Sequence, residues 1–427
     1  MRIAITSDSH FGDRTSQLAT LDSKGKPILG PKYEQFKNAV GQNNNYLVML
    51  GDVIDMAIED YKDAYDVAEI FFKQVAADNI ADRILYVPGN HDYDLWHTVE
   101  YQANIIKRVT DKPKKNISLF KMSVPAVLDD RPGREKIYLG NVTRRTELGK
   151  PYGGLFLDFL VDEKLEFYVA FPNVYLITDE NECILLTHGQ YFQFFWSLIS
   201  EWAPKIFGGD IKTEIPLIIK NVAHLNFPLS QLSSSGVGQA GPLTDVIRQI
   251  QYDFKDQEPE RIMKYVDNLE RALKSYVFKF KWYKPCDWLK KLAMSLAKKE
   301  LKKWIEKRPI TSPREDEEWE YKPDTNQKMV NYYKSSQVEI NSLNEDNELD
   351  IPAKPNKIIF GHSHRPIGLK ESKRLIIKPF QDSDFKVPLF NTGGWLIEEK
   401  DGKKAFDGIE IFTYETRKGI NSVSISD

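Results

Sequence analysis

The sequence predicts an α/β fold, and three observations carry that expectation. Short β-branched or apolar runs recur along the chain, as buried strands do. Helix-length segments separate the early ones. The polar residues able to do chemistry gather in the loops that end those runs, which is where open α/β sheets place ligands.

The runs follow in order. Ile3–Thr6 leads into Asp8, Tyr46–Leu50 into Gly51-Asp52, and Ile84–Val87 into Pro88-Gly89-Asn90. Cys183–Leu186 leads into Thr187-His188, and Lys357–Phe360 into Gly361-His362. Leu389–Thr392, Ile409–Tyr414 and Val423–Ile425 lack helix-length spacers and read as antiparallel hairpin strands. Residues 191–356 differ in character. An aromatic cluster opens the segment (Tyr191, Phe192, Phe194, Phe195, Trp196, Trp202), and a Gly/Ser-rich stretch at 232–238 reads as a loop. Helical patterns follow over Leu243–Phe254, Glu260–Phe280 and Pro285–Ile305, with Thr244 or Asp245 as a cap for the first and Pro285 in the first turn of the third. Arg314–Pro355 is polar and acid-rich and reads as a flexible loop with a short helix. The expected organisation is thus a catalytic domain of residues 1–190 and 357–427, interrupted by a helical insertion or cap over 191–356.

Composition narrows the class. With 41% hydrophobic and 28% charged residues in 427, the chain is excluded from being disordered throughout. A net charge of -3 gives the whole molecule no bias toward nucleic acid, and two cysteines build neither a disulfide framework nor a structural zinc site. Met1–Thr6 runs straight into Ser7-Asp8 without a leader pattern, and no apolar run reaches the ~20 residues that span a bilayer. These point to a cytoplasmic protein, or one peripheral to a membrane. Within the insertion, Arg271 to Arg308 holds thirteen Lys or Arg against three acids, with Trp282, Trp288 and Trp304 interleaved. That pattern fits a solvated helix face packed on the core, or a surface for membrane, lipid or polyanion.

Of seven histidines, five stand in the strand-end loops: His10, His91, His188, His362 and His364. Asp8, Asp52, Asp55, Asn90 and Asp92 share those loops. Imidazole, carboxylate and amide oxygen together suit borderline to hard divalent metals such as Mn, Fe, Co or Zn. Taken singly, each piece has a bland explanation: Asp8 or Asp52 could cap a following helix, and Gly89-Asn90 could form a turn. His97 and His224 match no motif. Arg365 is open to a substrate or a surface role, Asp55 fits holding the loop or another histidine, and Asn391–Trp395 reads as a turn near the site.

Taken together, Asp8-Ser9-His10, Gly51-Asp52-Val53-Ile54-Asp55, Gly89-Asn90-His91-Asp92, Thr187-His188-Gly189 and Gly361-His362-Ser363-His364 resemble, in order, the five motifs of the calcineurin-like metallophosphoesterase superfamily. The resemblance implies a four-layer α/β/β/α sandwich, and a phosphoesterase acting through two divalent metals and a metal-bound hydroxide. It places Asp8, His10 and His364 on one metal, Asn90, His188 and His362 on the other, and Asp52 between them. His91 would contact the scissile phosphate and protonate the leaving oxygen, with Asp92 orienting it. Manganese is the favoured metal, with Fe, Zn or Co as alternatives.

Met56-Ala57 and Asp92 depart from the Ser/Thr protein phosphatase pattern, so a phosphodiesterase or pyrophosphatase is expected over a phosphomonoesterase. Tyr93-Asp94-Leu95-Trp96 and His364-Arg365-Pro366 resemble the branch containing UDP-2,3-diacylglucosamine hydrolases, and the basic aromatic helices 271–308 would suit lipid contact. A nuclease is the competing reading, and a scaffold would need a broken site.

Overall fold

The structure is a computed structural model and describes residues 1–101, 123–134, 136–139, 160, 165–193, 196–197, 199–200, 217–234, 264, 319–347, 349–371, 375–381, 383–400 and 403–426. Apart from residue 264, the predicted helices over 243–305 and the basic stretch 271–308 lie outside these residues. Two compact units are distinguished, one formed by Met1–Ser200, Thr213–Gly236 and Glu320–Asp427, the other by Glu201–Lys212 and Val237–Trp319. Nearly all described residues belong to the first.

That unit is mixed α/β, as the sequence predicts, and is built on two large sheets. The first has strands β1 (Arg2–Thr6), β4 (Tyr46–Leu50), β5 (Arg83–Val87) and β8 (Glu166–Val169) running parallel, in that spatial order. The hairpin β16 (Ile409–Glu415) and β17 (Gly419–Ile425) extends it, with β16 antiparallel to β1. The second sheet is ordered β12 (Leu375–Ile377), β13 (Val387–Asn391), β11 (Lys357–Phe360), β10 (Cys183–Thr187), β9 (Asn173–Ile177), β6 (Ala126–Asp129) and β7 (Lys136–Leu139). Two short hairpins, β2–β3 (Ala19–Leu21, Pro27–Leu29) and β14–β15 (Ile397–Lys400, Lys403–Phe406), stand apart.

Alternate side chains of both sheets meet in one buried cluster: Ile3, Ile5, Val48, Leu50, Leu85 and Val87 from the first, with Leu128, Val174, Leu176, Ile184, Leu186 and Ile359 from the second. Period-two alternation puts these residues on one face. The intervening residues, among them Ala4, Leu47, Met49, Ile84, Leu185 and Ile358, are equally buried, so both faces are covered. Strands buried on both faces need unbroken apolar runs, and for that reason the runs are legible in the sequence.

Helices accompany the sheets. α1 is Tyr33–Val40, and α2 (Tyr61–Ala77) buries Ala64, Val67, Ala68, Phe71, Phe72 and Val75, the i, i+3, i+4, i+7 stripe of an amphipathic helix. Asp60 caps α2 through the amides of Lys62 and Asp63. No described helix begins at Asp8 or Asp52, so neither carboxylate is a helix cap. α3 (Tyr93–Tyr101) follows the Gly89–Asp92 loop, and α4 is Ile219–Ser234.

Three expectations need correction. Leu389–Thr392 is a hairpin strand on one side only: β13 is antiparallel to the preceding β12 but runs parallel to β11 on its other side. Ser233 and Ser234, read as loop, end α4. The acid-rich stretch read as flexible holds a 25-residue helix, α5 (Pro323–Asn347). Its buried stripe of Met329, Tyr333, Ser336, Ile340 and Leu343 keeps helical spacing, but polar residues thin its apolar signal. No described helix is long and apolar enough to cross a membrane.

Candidate metal centre

Three parallel strands of the first sheet, β1, β4 and β5, and two of the second, β10 and β11, carry in their C-terminal loops every residue singled out from the motifs. The backbone there is unusual. Asp8, His10, Asp52, His362 and His364 have φ of 52°, 45°, 50°, 71° and 56°, a left-handed region that side chains other than glycine's seldom occupy. Such conformations persist only where the surroundings enforce them, and they concentrate at functional sites. Hydrogen bonds between the loops provide the enforcement. Asp8 N–H donates to Gly51 O at 3.0 Å, His10 N–H to Asp52 O at 2.9 Å, and Gly361 N–H to His188 O at 2.9 Å.

The turn after β13 completes the frame. Asn391 donates its amide to Gly361 O at 2.7 Å, and Trp395 N–H donates to Asp8 O at 3.0 Å. Two glycines leave room for ligands: a Cβ on Gly361 would lie 2.3 Å from Asp8 Oδ2, and one on Gly394 2.7 Å from His364 Cγ.

Among the described residues, three groups of side chains have their ligand atoms within 4.8 Å of one another: first Asp8, His10 and His364, second Asp52, His188 and His362, and third His10, Asp55 and His91. In the first, His364 Nε2 lies 3.3 Å from Asp8 Oδ1 and 3.2 Å from His10 Nε2. In the second, His188 Nε2 lies 3.3 Å from Asp52 Oδ2 and 3.1 Å from Asn90 Oδ1. Asp52 Oδ2 is also 3.9 Å from His10 Nε2. All seven expected ligands are therefore gathered, and His91 adjoins them with its ring centroid 4.7 Å from that of His10. His91 N–H donates to Asp52 Oδ1 at 2.7 Å.

The donor set fits metal. Three imidazoles face fixed acceptors with Nδ1: His10 faces Asp55 at 3.0 Å, His188 faces Leu50 O at 2.7 Å, and His364 faces Glu398 at 2.8 Å. A neutral ring that donates through Nδ1 keeps its lone pair on Nε2, and in each group those Nε2 atoms converge with carboxylate oxygen. His362 pairs Nε2 with Gln193 Oε1 at 2.9 Å, so its lone pair is on Nδ1 when Nε2 donates.

Charge follows the geometry. Burial alone would raise the Asp8 carboxyl, but the hydrogen bond from His364 and the charge of His188 hold it below the usual range. Asp52 lies well below that range: burial opposes, and His188 and His91 prevail. Both are anions at neutral pH. Burial pushes His362 down to about 3, helped by the charge of His188, and also lowers His10. His188 goes the other way, to about 9, because the Asp52 charge outweighs its burial.

Asp92 is not where the motif placed it. Its carboxylate accepts from the amides of Gly89, Asp52 and Val53 and from the Tyr86 hydroxyl, tying the second loop to the third. Burial, then the charge of Asp52, raises it to about 6. The residue against His91 Nδ1 is Asp55, 3.0 Å away through both oxygens. Asp55 also accepts from the amides of Ala57 and Ile58, so it serves both loop and histidines. Glu398 and Gln193 carry no motif signal and were not foreseen. Arg365 pairs with buried Glu320 at 3.4 Å, and His97 faces Asp94 at 3.7 Å, away from the metal groups.

Residues 1–202 match the calcineurin-like phosphoesterase family model. That span, just under half of the chain, is similar to the calcineurin-like phosphoesterases. No curated protein matches it. As a calcineurin-like phosphoesterase it is a metal-dependent phosphoester hydrolase, of a family that generally binds two divalent metals. The matched span holds Asp8 through His188, whereas His362, His364 and Glu398 lie beyond it and are joined to it by β11 and β14.

Proposed function

We propose that this calcineurin-like phosphoesterase is a phosphodiesterase or pyrophosphatase with a dinuclear centre. Asp8, His10 and His364 would hold one metal, Asn90, His188 and His362 the other, and Asp52 would bridge. The observation that carries this is the reach of one Asp52 oxygen, 3.3 Å from His188 Nε2 and 3.9 Å from His10 Nε2. Manganese is favoured, and Fe, Zn and Co suit the same mixed donors. When bound, such a pair supplies Lewis acidity and an activated water.

The chain's own residues do the rest. His91 is 15% exposed at its side chain, held through Nδ1 by Asp55, and is the proton donor to the leaving oxygen. Asp55 fixes its tautomer, a part first given to Asp92. The Gly-Asn-His-Asp form of the third motif supports a diester or pyrophosphate. The basic aromatic stretch 271–308 supports an anionic, acylated substrate met at a membrane surface.

Hydrolysis of bis(p-nitrophenyl) phosphate and p-nitrophenyl phosphate, in chelator and then with Mn²⁺, tests this. Metal-dependent preference for the diester is expected. Preference for the monoester would overturn the diesterase assignment, and undiminished cleavage in chelator would overturn the metal mechanism. His91→Ala should keep its metals yet lose about 10²–10⁴-fold in rate. Stimulation by anionic vesicles would support the lipid substrate, whereas cleavage of single-stranded nucleic acid with steep salt dependence would replace it.

A further inference from the structure

A pocket of 340 Å³ lies at the β17 edge of the first sheet, and none of the seven expected metal ligands lines it. Its walls include the turn Gly368–Glu371, β16 at Glu410, and β17 at Asn421, Ser422 and Ser424. Glu410 stands two and four residues before Phe412 and Tyr414, so period-two alternation turns it to their face, toward the space between the sheets. There it is 4% exposed. Ser424, its register partner on β17, donates its hydroxyl to Glu410 Oε1. Glu410 Oε2 has no hydrogen-bond partner among the described residues. The turn presses directly on this carboxylate, since a Cβ on Gly368 would lie 2.6 Å from Oε2. Glu371, half-buried, closes the turn by donating its N–H to Gly368 O at 3.3 Å, and Leu369 N–H donates to Ser422 Oγ at 3.1 Å. Desolvation raises the Glu371 carboxyl above its ordinary value and the charge of Glu410 adds to it, against a backbone hydrogen bond at Gly368. Lys370 also lines the pocket but is exposed, and no ion pair joins it to either carboxylate among the described residues.

We propose that Glu410 and Glu371 hold a hydrated calcium ion in this pocket, joining the Gly368–Glu371 turn to the β16–β17 hairpin. A carboxylate oxygen taken out of water without a donor is costly, and such a group calls for a bound ion or water. The donors around it are carboxylate, hydroxyl and amide oxygen, with no histidine or cysteine. That set suits a hard cation, unlike the mixed imidazole and carboxylate donors of the strand-end loops. Ca²⁺ takes about six to eight oxygens in flexible geometry, whereas Mg²⁺ demands a near-ideal octahedron. The pocket has space for the waters that complete such a shell, each filling ~30 Å³. The site stands or falls independently of the dinuclear assignment.

The melting temperature of the chelator-stripped full chain, followed across a Ca²⁺ titration at constant ionic strength, reads this without turnover. An ion bound to the folded state alone raises the melting temperature once its concentration passes the dissociation constant. With only two carboxylates the rise should begin at about 10⁻⁴–10⁻³ M Ca²⁺. Glu410→Gln keeps the shape and an acceptor for Ser424 but not the charge, and its melting temperature should not respond to Ca²⁺. Glu371→Gln should be equally unresponsive. Asp52→Ala, which alters the strand-end loops instead, should respond as the unaltered chain does. No rise in the unaltered chain, or an undiminished rise in either glutamate variant, would overturn the proposal. Loss of the rise in Asp52→Ala would place the ion among the strand-end ligands and overturn it as well. Should Glu410→Gln fail to fold, as circular dichroism would show, the more exposed Glu371→Gln decides on the same criterion.

Discussion

Exchange of Asp55 for Asn separates the two duties of one buried carboxylate. Asp55 accepts at 3.0 Å from His10 and from His91, and at 3.2 and 3.0 Å from the amides of Ala57 and Ile58. Asn keeps one acceptor oxygen. With that oxygen toward the two amides, as Oδ1 is now, the new NH₂ group faces His10 Nδ1. His10 must then accept at Nδ1 and carry its proton on Nε2, the nitrogen that converges with His364 and Asp8. Metal affinity should fall about 10–100-fold, as it does when such partners are lost. A second deficit should survive saturating metal. His91 loses the carboxylate that holds it as an acid, and kcat should drop about 10²-fold, equivalent to about 2.7 kcal/mol of barrier. The assay is bis(p-nitrophenyl) phosphate hydrolysis across a Mn²⁺ titration, giving the half-saturation and the plateau separately. Full recovery of the plateau would refute the role at His91, and an unshifted half-saturation would refute the tautomer argument at His10.

Three further outcomes follow from the same geometry. Asp52→Ala should reduce turnover to background while leaving the protein folded by circular dichroism, and retained activity would sink the two-metal mechanism. In metal-free protein His188 titrates at about 9, so it is protonated at pH 7.5, whereas coordination needs the neutral ring; metal uptake should release about one proton, measurable by calorimetry in buffers of different ionisation enthalpy. Glu339, half-buried, accepts from Ser123, Asn173 and Tyr175, and desolvation raises its pKa above the ordinary 4.5. Its protonated form therefore favours the folded state. The native protein should lose stability relative to Glu339→Gln as pH rises from 4.5 through the raised value, and then run parallel to it. Melting temperatures at pH 4.5 and 8 check the sign.

The catalytic strands were legible because burial on both faces demands continuous apolar runs: Tyr46–Leu50 and Lys357–Phe360 are strands to the residue. The candidate ligands were legible because a metal constrains residue type, and only a few histidines and carboxylates stood at strand ends. What stayed hidden depended on tertiary partners. β9 and β12 lie in the second sheet without a loop of chemistry after them. α5 buries tyrosine and serine, whose side chains find partners such as Thr187 and Asn173 only once the sheet exists. The sequence points to Asp92, next to His91, as its partner, and only the folded loops show that Asp55 reaches it instead. Glu398 had no motif to announce it, and its place beside His364 comes entirely from the course of β14.

The pairing of β1 with β16 has a consequence for the order in which the molecule can be made. Asp8 and His10 leave the ribosome first, but β1 lacks one neighbour until Ile409–Glu415 arrives, and His364 follows His188 by 176 residues of synthesis. At roughly 5–20 residues per second that delay is about 9–35 s. During it the nascent chain displays Asp8, His10, Asp52, Asn90 and His188 without the two histidines that complete either group. On the dinuclear assignment, metal loading would therefore be a late event, coupled to closure of the first sheet. A chain stopped before β11 would carry most of the motifs and neither complete set of ligands.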